Sequence, residues 1–289
     1  MPSGKASRMD YKAINYKGIP VQADIISGII SLEVDAINCF RELDRLVRSD
    51  QGVASLVLMV VNSSLYSRGR MITTIPLAIS MLGFNIVRSL AMLAFARSLF
   101  SQTKNPLFRQ HIWQHSLLTA IASHNVCQEL GHEAGKDDAF IAGLMHDTGK
   151  VLLFTHVKDR YLPALNLCLQ SGCSSTQAEQ QFLGTDHLQV GREAVAQWKL
   201  PERFIDYMAT DLSMPSPPGY ADTVRLSLAV ANYLIKTMGI GASPIDDCAI
   251  KKAGLISLGL SETLAETLVQ DAFTDTLFES DIYKLCADF

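Results

Sequence analysis

The sequence predicts an all-α protein, and three observations predict it. Apolar residues recur at i, i+3 and i+4 along nearly the whole chain, as in Phe40, Leu43, Leu46 and Val47 and again in Val224, Leu228, Val230, Ala231 and Leu234, the spacing of amphipathic helices. No stretch shows the sustained apolar–polar alternation of a half-buried strand. Helix-boundary residues stand where the periodic runs begin, notably Asn105-Pro106 and Ser174-Ser175-Thr176-Gln177, because Pro suits a first helical turn and Ser with Gln three residues on forms a capping box. With 289 residues, 48% of them hydrophobic and 19% charged, the chain is globular and long enough for a sizeable core.

Taken in order, residues 1–17 read as a disordered tail, and Gly18-Ile19-Pro20 opens the ordered region. Residues 18–105 form a helical N-terminal block. Val53 to Val61 has the composition of a short buried strand, but its flanks are helical, so it is read as helix. Leu77 to Ala96 is apolar enough to raise the question of a membrane helix. Gly83 interrupts it, however, and Arg88 near its centre would cost roughly 2.5–3.5 kcal/mol on insertion; two buried helices fit better. These two segments carry more apolar surface than a small helical unit buries on itself, so the block is expected to pack on the helices after residue 105. Residues 106–235 form a second helical bundle, with a loop at Pro215-Ser216-Pro217-Pro218-Gly219. Residues 236–289 form a C-terminal helical extension.

Composition removes several function classes. The net charge of −4 gives no basic surplus for a nucleic-acid footprint. The polar N-terminus has no apolar core of a signal peptide, and the six cysteines include no C-x-x-C pair, so they read as reduced core residues of a cytoplasmic protein. Gly143 to Gly149-Lys150 has one residue too many for a phosphate loop, and Val151 stands where the magnesium-binding hydroxyl belongs. Gly239-Ile240-Gly241 lacks the third glycine of a dinucleotide fold. There is no G-x-S-x-G elbow.

The candidate site begins with His146-Asp147, a doublet inside the apolar run Phe140 to Leu153. Groups that hold charge or metal are costly to bury unless paired. On a helix the two side chains leave about 100° apart and can converge on one metal. Lys150 lies on the same side, able to neutralise Asp147 or to contact a phosphate. From the doublet alone, a surface Asp–Lys pair beside a core histidine is the plainer reading. His111 and His115, at i and i+4, share a helix face; without the glutamate of H-E-x-x-H a zincin is excluded. Leu118 and Ala122 point His115 inward, while His111 is expected at the helix start, in solvent. His124, His132 and His156 read as exposed or capping. His187 in Gly184-Thr185-Asp186-His187 is either a ligand or a capping group.

With these residues in place, the chain resembles the HDOD family, a branch of the HD superfamily of metal-dependent phosphohydrolases. The resemblance runs from about residue 20 to 235. It rests on Ser49-Asp50 to Asn62-Ser63-Ser64-Leu65-Tyr66, on Ile75 to Gly83 and on Trp113-Gln114-His115-Ser116. Further on come Gly143-Leu144-Met145-His146-Asp147-Thr148-Gly149-Lys150 and Gly184 to Gly191, continuing through Trp198-Lys199-Leu200-Pro201, all in family order. It implies that the second bundle is HD-like. In HD hydrolases an early His, the His-Asp doublet and a late Asp hold the metal. The resemblance assigns His115, His146 and Asp147 to the first three positions and puts Asn232 at the fourth. In the cyclic-dinucleotide hydrolases a further His, matched by His187, and a His-His pair complete a multi-metal site. That pair falls near Ala209-Thr210-Asp211, where no histidine stands and Asp211 is the oxygen available. An amide at 232 lacks the charge that helps hold a hard cation. The resemblance therefore implies a non-catalytic bacterial signalling or regulatory module that binds a protein partner or a nucleotide-type ligand. A weak metal-dependent phosphohydrolase is the alternative, with Lys150 as its catalytic side chain and iron, manganese, magnesium or zinc as the divalent metal. Neither nucleic acid nor membrane is expected as a partner.

Overall fold

A computed structural model describes residues 14, 16, 22–63, 66, 69, 71–101, 104–210, 212 and 220–287, with side chains described from 223 onward in the last stretch. It contains helices and no strand among the described residues. The N-terminal block consists of α1 (Ala23–Ser31), α2 (Cys39–Arg48), α3 (Gln51–Val61), α4 (Ile75–Leu82) and α5 (Phe84–Phe100). Val53 to Val61 is helical: Asp50 caps α3 by accepting from the Val53 N–H at 3.0 Å, which satisfies one of the donors a helix start leaves open. Asn62 closes the other end. Its Nδ2 donates to the carbonyls of Leu58 and Ile72, and its Oδ1 accepts from the Ile72 N–H at 2.7 Å.

The apolar run across Gly83 is two helices, bent by 114°. Gly83 sits at φ +84°, a left-handed conformation that glycine adopts without steric cost. No single helix among the described residues is long and apolar enough to cross a membrane. α5 is buried along most of its length, whereas Leu77 and Met81 of α4 stay on the surface.

The second bundle starts with α6 (Pro106–Phe108), capped by Asn105, which accepts from the Phe108 N–H. A π-helical segment, Arg109–Gln114, leads into α7 (His115–Glu129). Next come α8 (Lys136–Met145), α9 (Thr148–Ser171), α10 (Ser175–Leu183), α11 (His187–Gln197), α12 (Arg203–Met208) and α13 (Tyr220–Thr237). α7 packs between α8 and α13, and α9 packs on α10 and α11. The extension is α14 (Cys248–Ser257), α15 (Glu262–Leu268), α16 (Asp271–Glu279) and α17 (Asp281–Cys286). It folds back onto the bundle, where the Trp113 indole donates to the Cys286 carbonyl at 3.0 Å.

The seam between block and bundle is aromatic. Phe100 of α5 meets Phe108 and Trp113, with ring centroids 5.6 and 4.9 Å apart, and Phe108 meets Phe154 at 4.4 Å. Phe95 stands edge-on to Trp198 at 5.0 Å. Packing of this kind adds to the large area aromatic rings bury. Polar ties cross as well: Arg88 pairs with Asp138 at 3.0 Å, and the Ser27 hydroxyl donates to the Lys199 carbonyl.

Of the expected 1–17 tail, Ile14 and Tyr16 are described, and both are buried in the core. The Trp198 indole donates to the Tyr16 carbonyl at 2.8 Å, so the tail reading is corrected for these two residues. The rest of the tail, the Gly18–Pro20 opening, the Pro215–Gly219 loop and Asp211 lie outside the described residues.

Candidate metal centre and polar cleft

His146 and Asp147 lie at the junction of two helices, not within one. His146 is the last residue of the α8 path, and its Nδ1–H donates to the Gly143 carbonyl at 2.7 Å. Asp147 is the N-cap of α9, but its carboxylate makes no capping bond. Both oxygens are left to face the site. Gly149 permits the junction: a Cβ there would stand 1.9 Å from the His187 carbonyl oxygen, so only glycine lets α9 approach α11 this closely.

His115, fully buried, comes directly after the π-helical segment, a feature that often re-aims side chains at functional sites. Its Nδ1–H donates to the Ile240 carbonyl at 2.9 Å. Gly241 lies beside that contact at φ +91°, and a Cβ would come within 2.6 Å of the His115 ring nitrogen. His111 is corrected: it is half-buried, and its Nδ1 accepts the Gly241 N–H. It braces the same loop and stays out of the cluster.

A carbonyl oxygen can only accept, so the Nδ1 atoms of His115 and His146 carry the protons and the two Nε2 atoms carry lone pairs. Those Nε2 atoms face each other at 3.3 Å. His115 Nε2 also lies 3.1 Å from Asn232 Oδ1 and 3.6 Å from Asp147 Oδ2, and His146 Nε2 lies 3.4 Å from the same Asp147 oxygen. Acceptors thus converge with no proton between the imidazoles, an arrangement that a cation relieves. Ligand atoms of His115, His146 and Asp147 all lie within 4.8 Å of one another, so these three residues could hold a metal ion. Backbone partners on the outer nitrogens fix tautomer and ring orientation, as outer-shell partners do for metal-binding histidines.

Lys150 is buried and is no surface partner. Its Nζ lies 2.9 Å from Asp147 Oδ2. Burial alone would raise the Asp147 carboxyl, but the positive charge around it outweighs burial and holds it well below the usual carboxylate range. Lys150 supplies that charge, because burial depresses His115 well below its ordinary value and His146 to about 4. Burial likewise opposes the Lys150 ammonium, and Asp147 more than offsets it, raising the amine.

His187 is the first residue of α11 and not its cap, since Asp186 accepts the Gln189 N–H. Its Nε2 lies 4.0 Å from the other Asp147 oxygen, Oδ1. Its Nδ1 and its backbone N–H both meet Glu179 Oε2, at 2.6 and 2.8 Å, while Tyr161 donates to Glu179 Oε1 at 3.1 Å. Glu179 is the site residue that sequence reasoning missed. The capping box is Ser174 with Gln177, and Glu179 turns inward, 1% exposed. Its spacing of four from Leu183 was the available signal. Beside the cluster opens a cleft of about 250 Å³, lined by Lys150, Lys236, Ser174, Thr176, Thr210 and Asn232 among others.

Fold and site together define a helical bundle with a buried His–Asp centre of reduced charge. The HDOD domain model matches residues 19–213, and the chain belongs to that family. A Geobacter sulfurreducens HDOD domain protein of unknown function superposes with a TM-score of 0.73 at 24% identity, over 91% of both chains. A Marinobacter aquaeolei VT8 protein, provisionally named for signal transduction, gives 0.69 at 21% identity over 93% of this chain and 59% of its own. A Shewanella amazonensis SB2B protein provisionally named a phosphohydrolase gives 0.63 at 15% identity over 94% of both. An uncharacterized Treponema pallidum (strain Nichols) protein is 19% identical over 201 residues, 70% of this chain, which spans 39% of that relative's length.

Proposed function

We propose that this HDOD chain is a non-catalytic regulatory module of bacterial signal transduction whose polar cleft takes a nucleotide-type, phosphate-bearing ligand. The Lys150–Asp147 ion pair supports this most directly. The only carboxylate among the three candidate metal ligands already carries a lysine ammonium on Oδ2, the oxygen turned towards both histidines. Asn232 adds a neutral amide where a second carboxylate would compensate. A divalent ion held there by His115, His146 and Asp147 is held weakly, and generating a hydroxide nucleophile requires a firmly held metal. Lys150 keeps further N–H donors for a phosphate, and Lys236 with the Ser174 and Thr176 hydroxyls lines the same opening.

Isothermal titration with GMP should show binding that Lys150→Met removes. Cyclic di-GMP and bis(4-nitrophenyl) phosphate should turn over at background rates with manganese or iron present. Turnover well above background, abolished by Asp147→Ala, would overturn the proposal. It would favour the second reading, a weak metal-dependent phosphohydrolase, which the convergence of lone pairs on one point supports. Asn232→Asp should tighten manganese binding under either reading.

A further inference from the structure

α9 ends in a left-handed glycine cap: Gly172 stands at φ +67°, and its N–H bonds the Cys168 carbonyl at 3.0 Å. A cap of this kind folds the next residue back over the helix's last turn, where an apolar contact usually closes the motif. In this chain the two residues so placed are both cysteines. Cys173 Sγ lies 4.0 Å from Cys168 Sγ. The expectation of isolated core cysteines is corrected here, and also for Cys248, which is exposed.

We propose that Cys168 and Cys173 form an oxidisable dithiol, a modification site at which a peroxide closes a disulfide across the Gly172 cap. The two sulfurs need to approach by about 2 Å to reach bonding distance, and they sit on either side of one short turn. Their exposures differ in the way the chemistry requires. Cys173 is half-exposed and lines the cleft, so an oxidant reaches it. Cys168 is buried, and burial first, with Cys173 beside it, pushes its thiol up to about 12. By exposure, Cys173 is the thiol that the peroxide oxidises and Cys168 the one that closes the bridge.

The step balances. The Cys173 sulfur attacks one peroxide oxygen, an S–O bond forms as the O–O bond breaks, and water leaves. The Cys168 sulfur then attacks the Cys173 sulfur. The S–S bond forms, the S–O bond breaks, and the Cys168 proton leaves with the hydroxide as a second water. Two thiols are oxidised by two electrons in all, and one hydrogen peroxide is reduced.

The site is separate from the metal cluster but not remote from it. Ser174, next in sequence, caps α10, and α10 carries the Glu179 that orients His187. Closing the bond pins the turn that forms one wall of the cleft.

The full-length protein, reduced with dithiothreitol, desalted and treated with hydrogen peroxide, provides the test. Residues 161–192 form one tryptic peptide that contains both cysteines. It should lose the mass of two hydrogens, resist alkylation by iodoacetamide and regain both thiols on reduction. Cys173→Ser should abolish the loss, and Cys248 should stay outside any bridge. Amide exchange across 169–178 should slow in the oxidised protein relative to the reduced one. Independent alkylation of both thiols after peroxide, or oxidation of Cys173 to the sulfinic acid with no bridge, would overturn the proposal. A bridge that left exchange at 169–178 unchanged would overturn its link to the cleft wall. None of these readouts depends on what the cleft binds.

Discussion

Asp147 divides the site into two halves that are built differently. On the Oδ2 side stand His115 and His146, each anchored through Nδ1 to a backbone carbonyl, with Lys150 on the carboxylate. On the Oδ1 side stands His187, anchored through Nδ1 to the Glu179 carboxylate. A carbonyl partner fixes a tautomer and adds no formal charge. A carboxylate partner fixes the tautomer and brings a second acidic group to the site. The first half is thus a neutral nitrogen pair facing one shared anion, suited to a cation between them. The second half is a hydrogen-bond chain, Tyr161–Glu179–His187, that holds together without one. One carboxylate serves both halves, so removing it should separate them.

The largest effect is expected from Asp147→Ala. It leaves the buried Lys150 ammonium without its partner, a loss of about 3–5 kcal/mol for a broken buried pair. The double variant Asp147→Ala/Lys150→Met should recover much of that loss in urea denaturation. If the double variant were as unstable as the single one, the ion pair would not be what the Oδ2 side depends on.

Acid should act next, through the neutral histidines. His146 lies near 4 in the folded chain and at its ordinary 6.5 once unfolded. Between those values the unfolded chain binds the extra proton, so stability falls as pH drops from 6.5 to about 4, by about 3 kcal/mol from this group. Asp147, held low, adds its own loss only below its ordinary 3.8. Urea midpoints measured across that range should fall in His146-bearing protein and fall less steeply in His146→Gln, where His115, also held low, still adds its share. A flat profile in the unsubstituted chain would remove the neutral pair from the comparison.

Metal binding should separate the halves without reference to stability. Manganese affinity should drop by more than about tenfold in His115→Ala, since even an outer-shell partner is worth that much. In His187→Ala the change should be smaller than that. Equal losses would place His187 among the ligands. Added manganese should raise the thermal midpoint of the unsubstituted protein, chelator should reverse the rise, and neither should shift that of His115→Ala.

The smallest effect is expected from Glu179→Gln. The amide oxygen can still accept from His187, while its NH2 meets the Tyr161 hydroxyl as a donor, so chiefly the charge assistance is lost, about 1 kcal/mol. A loss comparable to that of Asp147→Ala would mean that Glu179 anchors the fold and does more than orient His187.

Much of the architecture was legible beforehand because helices are written in local periodicity. Phe40, Leu43, Leu46 and Val47 lie on or beside α2, and the apolar run across Gly83 became two helices because a glycine at positive φ ends one and starts the next. The inward direction of His115 was readable from Leu118 and Ala122 on its own helix, and it is fully buried. His111 was misplaced because the π-helical turn before His115 and the Gly241 loop are tertiary matters. What the sequence determined by itself is which residues share a helix face, a property fixed by 3.6 residues per turn. The tertiary structure alone decided which groups meet across helices. The Ile240 carbonyl that sets the His115 tautomer lies 125 residues away. Lys150 became a buried partner of Asp147 because α11 closes over the start of α9 at Gly149. Hydrogen-bond partners and burial act through space, and local periodicity does not encode the distances between segments that only folding brings together.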